Sequence, residues 1–268
     1  MNNFLSPMHL VVPPQIKKEE LHVWWTNLRD FDLAVPALWS VLSPWERAWA
    51  EGFHLPGDKD NFIICNGMLR MLLGAYVGCY PSRLHLSMGP NGKPEPHRHI
   101  ETGGIHFNLS HSGDVALYGF TGACPIGVDV EQVQPVADYE TIARETFSQA
   151  ETESLMALPK GLRISRFFDL WTRKEALLKV AGNGLQSSQT ARPRLVPRPD
   201  ESRLAPSSPP ADAPAEWRVH SFSPREGYVA AVAFQQPDLD LILRTTPAFF
   251  SDKLRDPLRT DLRALTGS

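Results

Sequence analysis

Two carboxylates, Asp129 and Glu131, lie two residues apart in the stretch Pro125-Ile126-Gly127-Val128-Asp129-Val130-Glu131. Read as a strand, it splits by period two. Ile126, Val128 and Val130 face one way; Gly127, Asp129 and Glu131 face the other. The two acids then stand about 7 Å apart along the strand. Like charges this close repel, and burying them unpaired is costly. A bound hard cation relieves the repulsion, and Mg2+ is commonly held by one or two carboxylates plus substrate phosphates. The same pattern also describes the solvated outer face of an ordinary antiparallel strand.

An acid and a base, Glu175 and Lys179, fall one helical turn apart in Phe167-Phe168-Asp169-Leu170-Trp171-Thr172-Arg173-Lys174-Glu175-Ala176-Leu177-Leu178-Lys179. This stretch has strong helix formers and no interior Pro or Gly, and it stops at Gly182 and Gly184. Trp171, Glu175 and Lys179 climb one stripe at i, i+4, i+8, beside an apolar side made by Phe167, Leu170, Leu177 and Leu178. The pair reads either as a surface contact worth roughly a few tenths of a kcal/mol, or as a third metal ligand or base with a phosphate-neutralising cation above it.

The run from Ile126 to Glu131, followed by the run from Trp171 to Lys179, resembles the paired signature of the 4'-phosphopantetheinyl transferases, in the larger, two-lobed Sfp-like form. Upstream, Gly92-Lys93-Pro94 and Phe107-Asn108-Leu109-Ser110-His111-Ser112 resemble two further blocks of that family, in the same order. The resemblance spans roughly residues 40 to 235. It implies transfer of 4'-phosphopantetheine from coenzyme A to a serine of an apo acyl or peptidyl carrier protein. Asp129, Glu131 and Glu175 would hold Mg2+, with Mn2+ as substitute. Glu175 would act as ligand, base or both, and Lys179 would meet the pyrophosphate. Lys93, Ser110, His111 and Arg47 would contribute to coenzyme A binding. Two other classes stay open: a catalytically silent relative that binds coenzyme A or carrier protein, and a metal-dependent phosphohydrolase using the same acids.

The elements that must position these residues read as an α+β protein. A strand is expected at Leu21–Trp25, and a helix begins at Pro44 with Ser43 as N-cap. A helix runs from Lys59 to Val77 and is closed by Gly78. Leu84–Met88 alternates like a strand. A hairpin joins Ile105–Ser110 to Val115–Phe120, and a second joins Trp217–Phe222 to Tyr228–Phe234. The order of helix, then hairpin, thus occurs twice. The expectation is two pseudo-symmetric lobes, 1–122 and 123–268, each a helix on a small antiparallel sheet, with the active site in the cleft between them. Residues 186–215, rich in proline, read as a mobile extended insert, and 249–265 as a broken helix.

The chain has 268 residues, 42% of them hydrophobic, with a net charge of −3. That argues for a globular protein and against general nucleic-acid binding. Cys65, Cys79 and Cys124 form no CxxC pair, as expected of a cytoplasmic protein. No apolar run approaches the ~20 residues of a membrane span, and no signal-peptide pattern opens the chain. His97, His99 and His106 have no carboxylate or cysteine at ligand spacing and read as loop residues. The internal duplication points to a monomer. Acidic residues dominate 125–160 and basic ones 161–203, so a basic rim would face the acidic carrier proteins that the resemblance implies. One departure from the family stands out. The helices that usually supply several basic residues to the 3'-phosphate of coenzyme A keep only Arg47 and Lys59, so a weak 3'-phosphate clamp is expected.

Overall fold

The computed structural model describes residues 15–88, 94–96, 104–180, 193–195, 203–206, 217–235 and 239–246. In chain order the elements are β1 (Glu20–Asn27), α1 (Val35–Val41), α2 (Pro44–Glu51), α3 (Pro56–Val77), β2 (Leu86–Met88), β3 (Pro94–Pro96), β4 (His106–Ser112), β5 (Val115–Thr121) and β6 (Ile126–Gln132). Then follow α4 (Tyr139–Thr146), α5 (Gln149–Met156), α6 (Lys160–Val180), β7 (Pro193–Leu195), β8 (Arg203–Pro206), β9 (Trp217–Phe222), β10 (Tyr228–Phe234) and β11 (Asp240–Thr245). The class is α+β, as the sequence implied.

Two sheets carry the molecule. The first has the order β11-β1-β5-β4 and the second β6-β10-β9-β8-β7. Side chains of the first sheet alternate between two cores. Trp24, Ala116, Tyr118 and Phe120 meet Leu38, Ile64, Met68 and Leu72 of the helices α1 and α3. Leu21, Val23, Val115 and Leu117 instead meet Ile126, Val128 and Val130 of β6 and Ala230, Val232 and Phe234 of β10. On the far side of the second sheet, Ala231, Ala233 and Val219 pack on Phe167, Leu170, Ala176 and Leu177 of α6. The result is a helix–sheet–sheet–helix stack with three apolar layers.

Several local signals act as expected. The side chain of Ser43 caps α2 by accepting from the Glu46 amide, and Glu46 returns the bond in a capping box. Gly78 ends α3 at φ 66°. Gly113, at φ 53°, turns the β4–β5 hairpin. The structure departs from the expectations at four places. α3 begins at Pro56 rather than Lys59, with proline at N1/N2. α6 begins at Lys160, ahead of the stretch from Phe167 whose pattern marked the helix. β11 pairs in parallel with β1 as the outer strand of the first sheet, so residues 240–245 return to the sheet built by the first half of the chain. Within 186–215, two pieces are strands, β7 and β8, which pair with each other, and β8 also pairs with β9. The expected tail helix at 249–265 and the turn bearing Lys93 lie outside the described residues. So do His97 and His99, whereas His106 opens β4. Cys65, Cys79 and Cys124 are free thiols. Among the described residues, no helix is long and apolar enough to cross a membrane.

Candidate active site

The polar side of β6 is not a solvated face. Asp129 is only 3% exposed, because α6 lies directly on that side of the strand. Gly127 permits the approach: a Cβ there would stand 2.0 Å from the Ala176 carbonyl oxygen and 2.8 Å from a Val180 methyl. The missing side chain therefore lets the last turn of α6 rest on the backbone beside Asp129. That contact delivers Lys179 to the carboxylate. Its Nζ donates to Asp129 Oδ1 at 2.6 Å, to Ser110 Oγ at 2.8 Å and to the Val128 carbonyl at 2.9 Å.

β4 supplies the other wall. It runs alongside β6, and the two strands are stitched by side chains. Asn108 Oδ1 accepts from the Val128 amide at 2.9 Å. Ser110 Oγ donates to Asp129 Oδ1 at 2.9 Å. Ser112 Oγ donates to Glu131 Oε2 at 2.7 Å and accepts from the Gln132 amide at 3.2 Å. Every second residue of β4 thus fixes a successive position of β6, as the period-two geometry of strands requires. The hairpin turn anchors the end of this seam, where the Asp114 amide donates to the Tyr228 hydroxyl at 3.1 Å.

Electrostatics follow from this packing. Burial raises the pKa of Glu131 above the usual carboxylate value. The neighbouring Asp129 charge adds to the rise, while the Ser112 hydroxyl, Lys179 and Trp171 oppose it. His111, at the rim where β4 ends, has its imidazole pKa lowered by desolvation and then by the Lys179 charge. Asp129 Oδ2 is buried and has no hydrogen-bond partner. A carboxylate with one saturated oxygen and one open, buried oxygen suits a cation that brings its own charge.

The structure therefore brings Ser110, Asp129, Glu131 and Lys179 together, with His111 at the edge. Glu175 is half-buried on α6, one turn before Lys179. Among the described residues, no group of three or more His, Cys, Asp or Glu side chains is arranged to hold a metal ion. Arg47 is placed elsewhere. Its Nε and Nη2 donate to the carbonyls of Trp39 and Ser40 at the end of α1, at 3.1 and 2.8 Å. Asn108 and Ser112 were given no role from the sequence. Their signal was present in the alternation of polar residues at 108, 110 and 112, which matches the spacing of the positions they bind. Trp171, on the stripe of Glu175 and Lys179, was likewise not linked to Glu131.

Comparison with known proteins bears on this arrangement. Residues 125–233, which span β6, α6 and β10, match the model of the 4'-phosphopantetheinyl transferase superfamily. The chain is 32% identical over 224 residues to the 4'-phosphopantetheinyl transferase HetI of Nostoc sp., covering 82% of this chain and 91% of that protein. It is 30% identical over 195 residues to the 4'-phosphopantetheinyl transferase psf-1 of Bacillus pumilus, covering 72% and 78%. To the 4'-phosphopantetheinyl transferase Sfp of Bacillus subtilis it is 27% identical over 200 residues, covering 74% and 84%. With such likeness running through both sheets and the cluster between them, the chain belongs to the 4'-phosphopantetheinyl transferase superfamily and is a transferase enzyme.

Proposed function

We propose that this protein transfers the 4'-phosphopantetheine group of coenzyme A to a serine of an apo acyl or peptidyl carrier protein, leaving holo-carrier and 3',5'-ADP. The observation that carries the reading is the buried cluster of Asp129, Lys179 and Ser110 at the β4–β6 seam. It gathers anion and cation on rigid elements beside a rim that carries His111. We read the first sheet with α1–α3 and the second sheet with α4–α6 as two lobes, divided near residues 122–123 except that β11 returns to the first, with coenzyme A in the cleft at their junction.

Asp129 and Glu131 would hold a divalent ion, with Glu175 as third ligand only after its side chain moves toward them, since the three are not pre-arranged as a metal site. Asp129 Oδ2 and the strained ionisation of Glu131 fit that role. When bound, Mg2+ neutralises negative charge on the phosphates. Ser110 and His111 line the wall on which the diphosphate lies. The carrier serine hydroxyl attacks the β-phosphorus, and the bond from that phosphorus to the bridging oxygen breaks. Glu175, or a water it orients, receives the hydroxyl proton. Lys179 stabilises the charge that develops on the leaving phosphate. The basic residues of 161–203 other than Lys174 and Lys179, which are buried in ion pairs with Glu151 and Asp129, would draw in the acidic carrier.

The test is incubation of a panel of apo acyl and peptidyl carrier proteins with coenzyme A and Mg2+, read by intact-protein mass. A gain of one phosphopantetheine on a carrier, dependent on its acceptor serine, is expected. Phosphate release without carrier, or no mass gain on any carrier, overturns the reading.

A further inference from the structure

An ammonium group has three N–H donors. On Lys179 all three are taken, by Asp129 Oδ1 at 2.6 Å, Ser110 Oγ at 2.8 Å and the Val128 carbonyl at 2.9 Å. The side chains of Lys179 and Asp129 are only 11% and 5% exposed. In this state Lys179 has no donor left for a phosphate. Asp129, meanwhile, keeps Oδ2 buried and without a partner, and Glu131 is held from the other side by Ser112.

We propose that Lys179 is a placeholder cation: it neutralises Asp129 while the site is ligand-free, then leaves that carboxylate for the diphosphate as a divalent ion takes its place. This rests on the reading that Asp129 and Glu131 bind the ion. The physical reason is charge. A divalent ion and an ammonium on the same carboxylate would be like charges side by side in a partly buried site, where screening is weak and they repel. The lysine stem is flexible, with four rotatable carbons, so the ammonium moves while α6 stays fixed on Gly127. Coenzyme A supplies the new acceptors, since its diphosphate presents several oxygens to the freed donors.

Two consequences follow. The ion alone binds weakly, because it must displace Lys179 from three hydrogen bonds. The ion and coenzyme A bind cooperatively, because each lowers the cost of moving Lys179 for the other, and that coupling is reciprocal. A lysine that acted only as a fixed structural partner of Asp129 would leave ion binding no tighter when it is removed, and any coupling would come only from the diphosphate's own oxygens.

The experiment is a Mn2+ titration at pH 8, by electron paramagnetic resonance, on the full-length wild type, Lys179→Met and Lys179→Gln, each with and without coenzyme A. In the absence of coenzyme A, both variants are expected to bind Mn2+ about tenfold more tightly than wild type. Coenzyme A is expected to tighten Mn2+ binding in the wild type and to lose most of that effect in the variants. Equal or weaker Mn2+ binding in variants that retain the wild-type circular dichroism overturns the proposal. If one variant fails to fold, the other carries the comparison. If neither folds, coupling in the wild type decides, and its absence overturns the proposal. Asp129→Asn separates the two levels of inference: Mn2+ binding unchanged by that substitution defeats the metal reading itself, whereas lost binding with no gain in the Lys179 variants defeats only the placeholder.

Discussion

Gly127 and Ala176 are in contact across the β6–α6 interface, with room for a hydrogen but not for a methyl group. A Cβ on Gly127 would lie 2.0 Å from the Ala176 carbonyl oxygen, which is helix backbone and cannot rotate away. Gly127→Ala is therefore expected to lever the end of α6 off the strand, destabilising the protein by about 1–3 kcal/mol. Glu175 and Lys179 ride on that turn, so transfer is expected to fall by at least about 100-fold, as a misplacement near 1 Å can produce. A urea melt and a carrier-labelling assay check the two parts. Wild-type activity in this variant would remove α6 placement from the account.

Glu175→Gln keeps the shape of the side chain and removes its charge and basicity. Transfer is expected to fall by about 100-fold or more, with the melting temperature near that of wild type because Glu175 is only half-buried. Differential scanning fluorimetry beside a single-turnover assay reads both. Unchanged turnover would count against Glu175 as ligand and as base.

The β4–β6 seam makes a contrast between two of its members. Asn108→Ala orphans the Val128 amide and is expected to cost about 1–3 kcal/mol of stability. Ser112→Ala strips Glu131 of its hydroxyl donor near the protein edge. It is expected to cost about 1 kcal/mol or less in stability but about tenfold in turnover. Denaturant midpoints and kcat for both variants show whether stability and activity separate in this order.

His22 is fully buried; its Nδ1 bonds the Tyr76 hydroxyl at 2.7 Å and its Nε2 meets Glu20 Oε2 at 3.2 Å. Burial, then repulsion from Arg244, lowers its pKa below the ordinary imidazole value, against the pull of Glu20. The folded-state pKa lies below the unfolded one. The contribution of His22 is thus fully present above about pH 6.5 and is lost as pH falls through the folded-state value, because the unfolded chain takes the proton first. Urea midpoints at pH 7.5 and 5.5 are expected to drop more in wild type than in His22→Gln. An equal drop in both proteins excludes His22 as a source of the acid sensitivity.

Arg47 spends two of its nitrogens on carbonyls of α1, and Lys59 places its Nζ 5.3 Å from the centroid of the Trp39 ring. Both side chains stay charged, but they are the two cations of α2 and the start of α3, set among four acids, Glu46, Glu51, Asp58 and Asp60. Coenzyme A and dephospho-coenzyme A are therefore expected to bind within about tenfold of each other, or ~1.4 kcal/mol. Calorimetric titration of both measures this, and a much larger preference for coenzyme A means that a clamp exists elsewhere.

The parts of the fold legible in the sequence are those with short-range causes. The β4–β5 and β9–β10 hairpins show alternation around glycines that reach φ 53° and 79°, Gly113 and Gly227. The stripe on α6 and the alternation of β6 are equally local. Strand period places Asp129 and Glu131 on one face and helix period places Glu175 and Lys179 on one stripe, but it was the family resemblance that joined the two pairs into one candidate site. The parallel pairing of Glu20 with Asp240 was not legible, because it joins positions 220 apart and leaves no pattern in either segment. Nor was the pairing of Lys179 with Asp129. Alternation says which way a carboxylate points, but only the close approach at Gly127 says what meets it. Arg47 shows the same limit: its charge was visible, and the carbonyls that orient it were not.

Because β11 closes the open side of β1, the first sheet is finished only when the last strand among the described residues arrives. During synthesis β1 leaves the ribosome more than two hundred residues before its parallel neighbour. Until then its outer backbone groups form an exposed sheet edge, the kind that recruits stray strands from other chains. A nascent chain stalled before residue 240 is left open to aggregation on that side, and the arrival of residues 240–245 is what seals it.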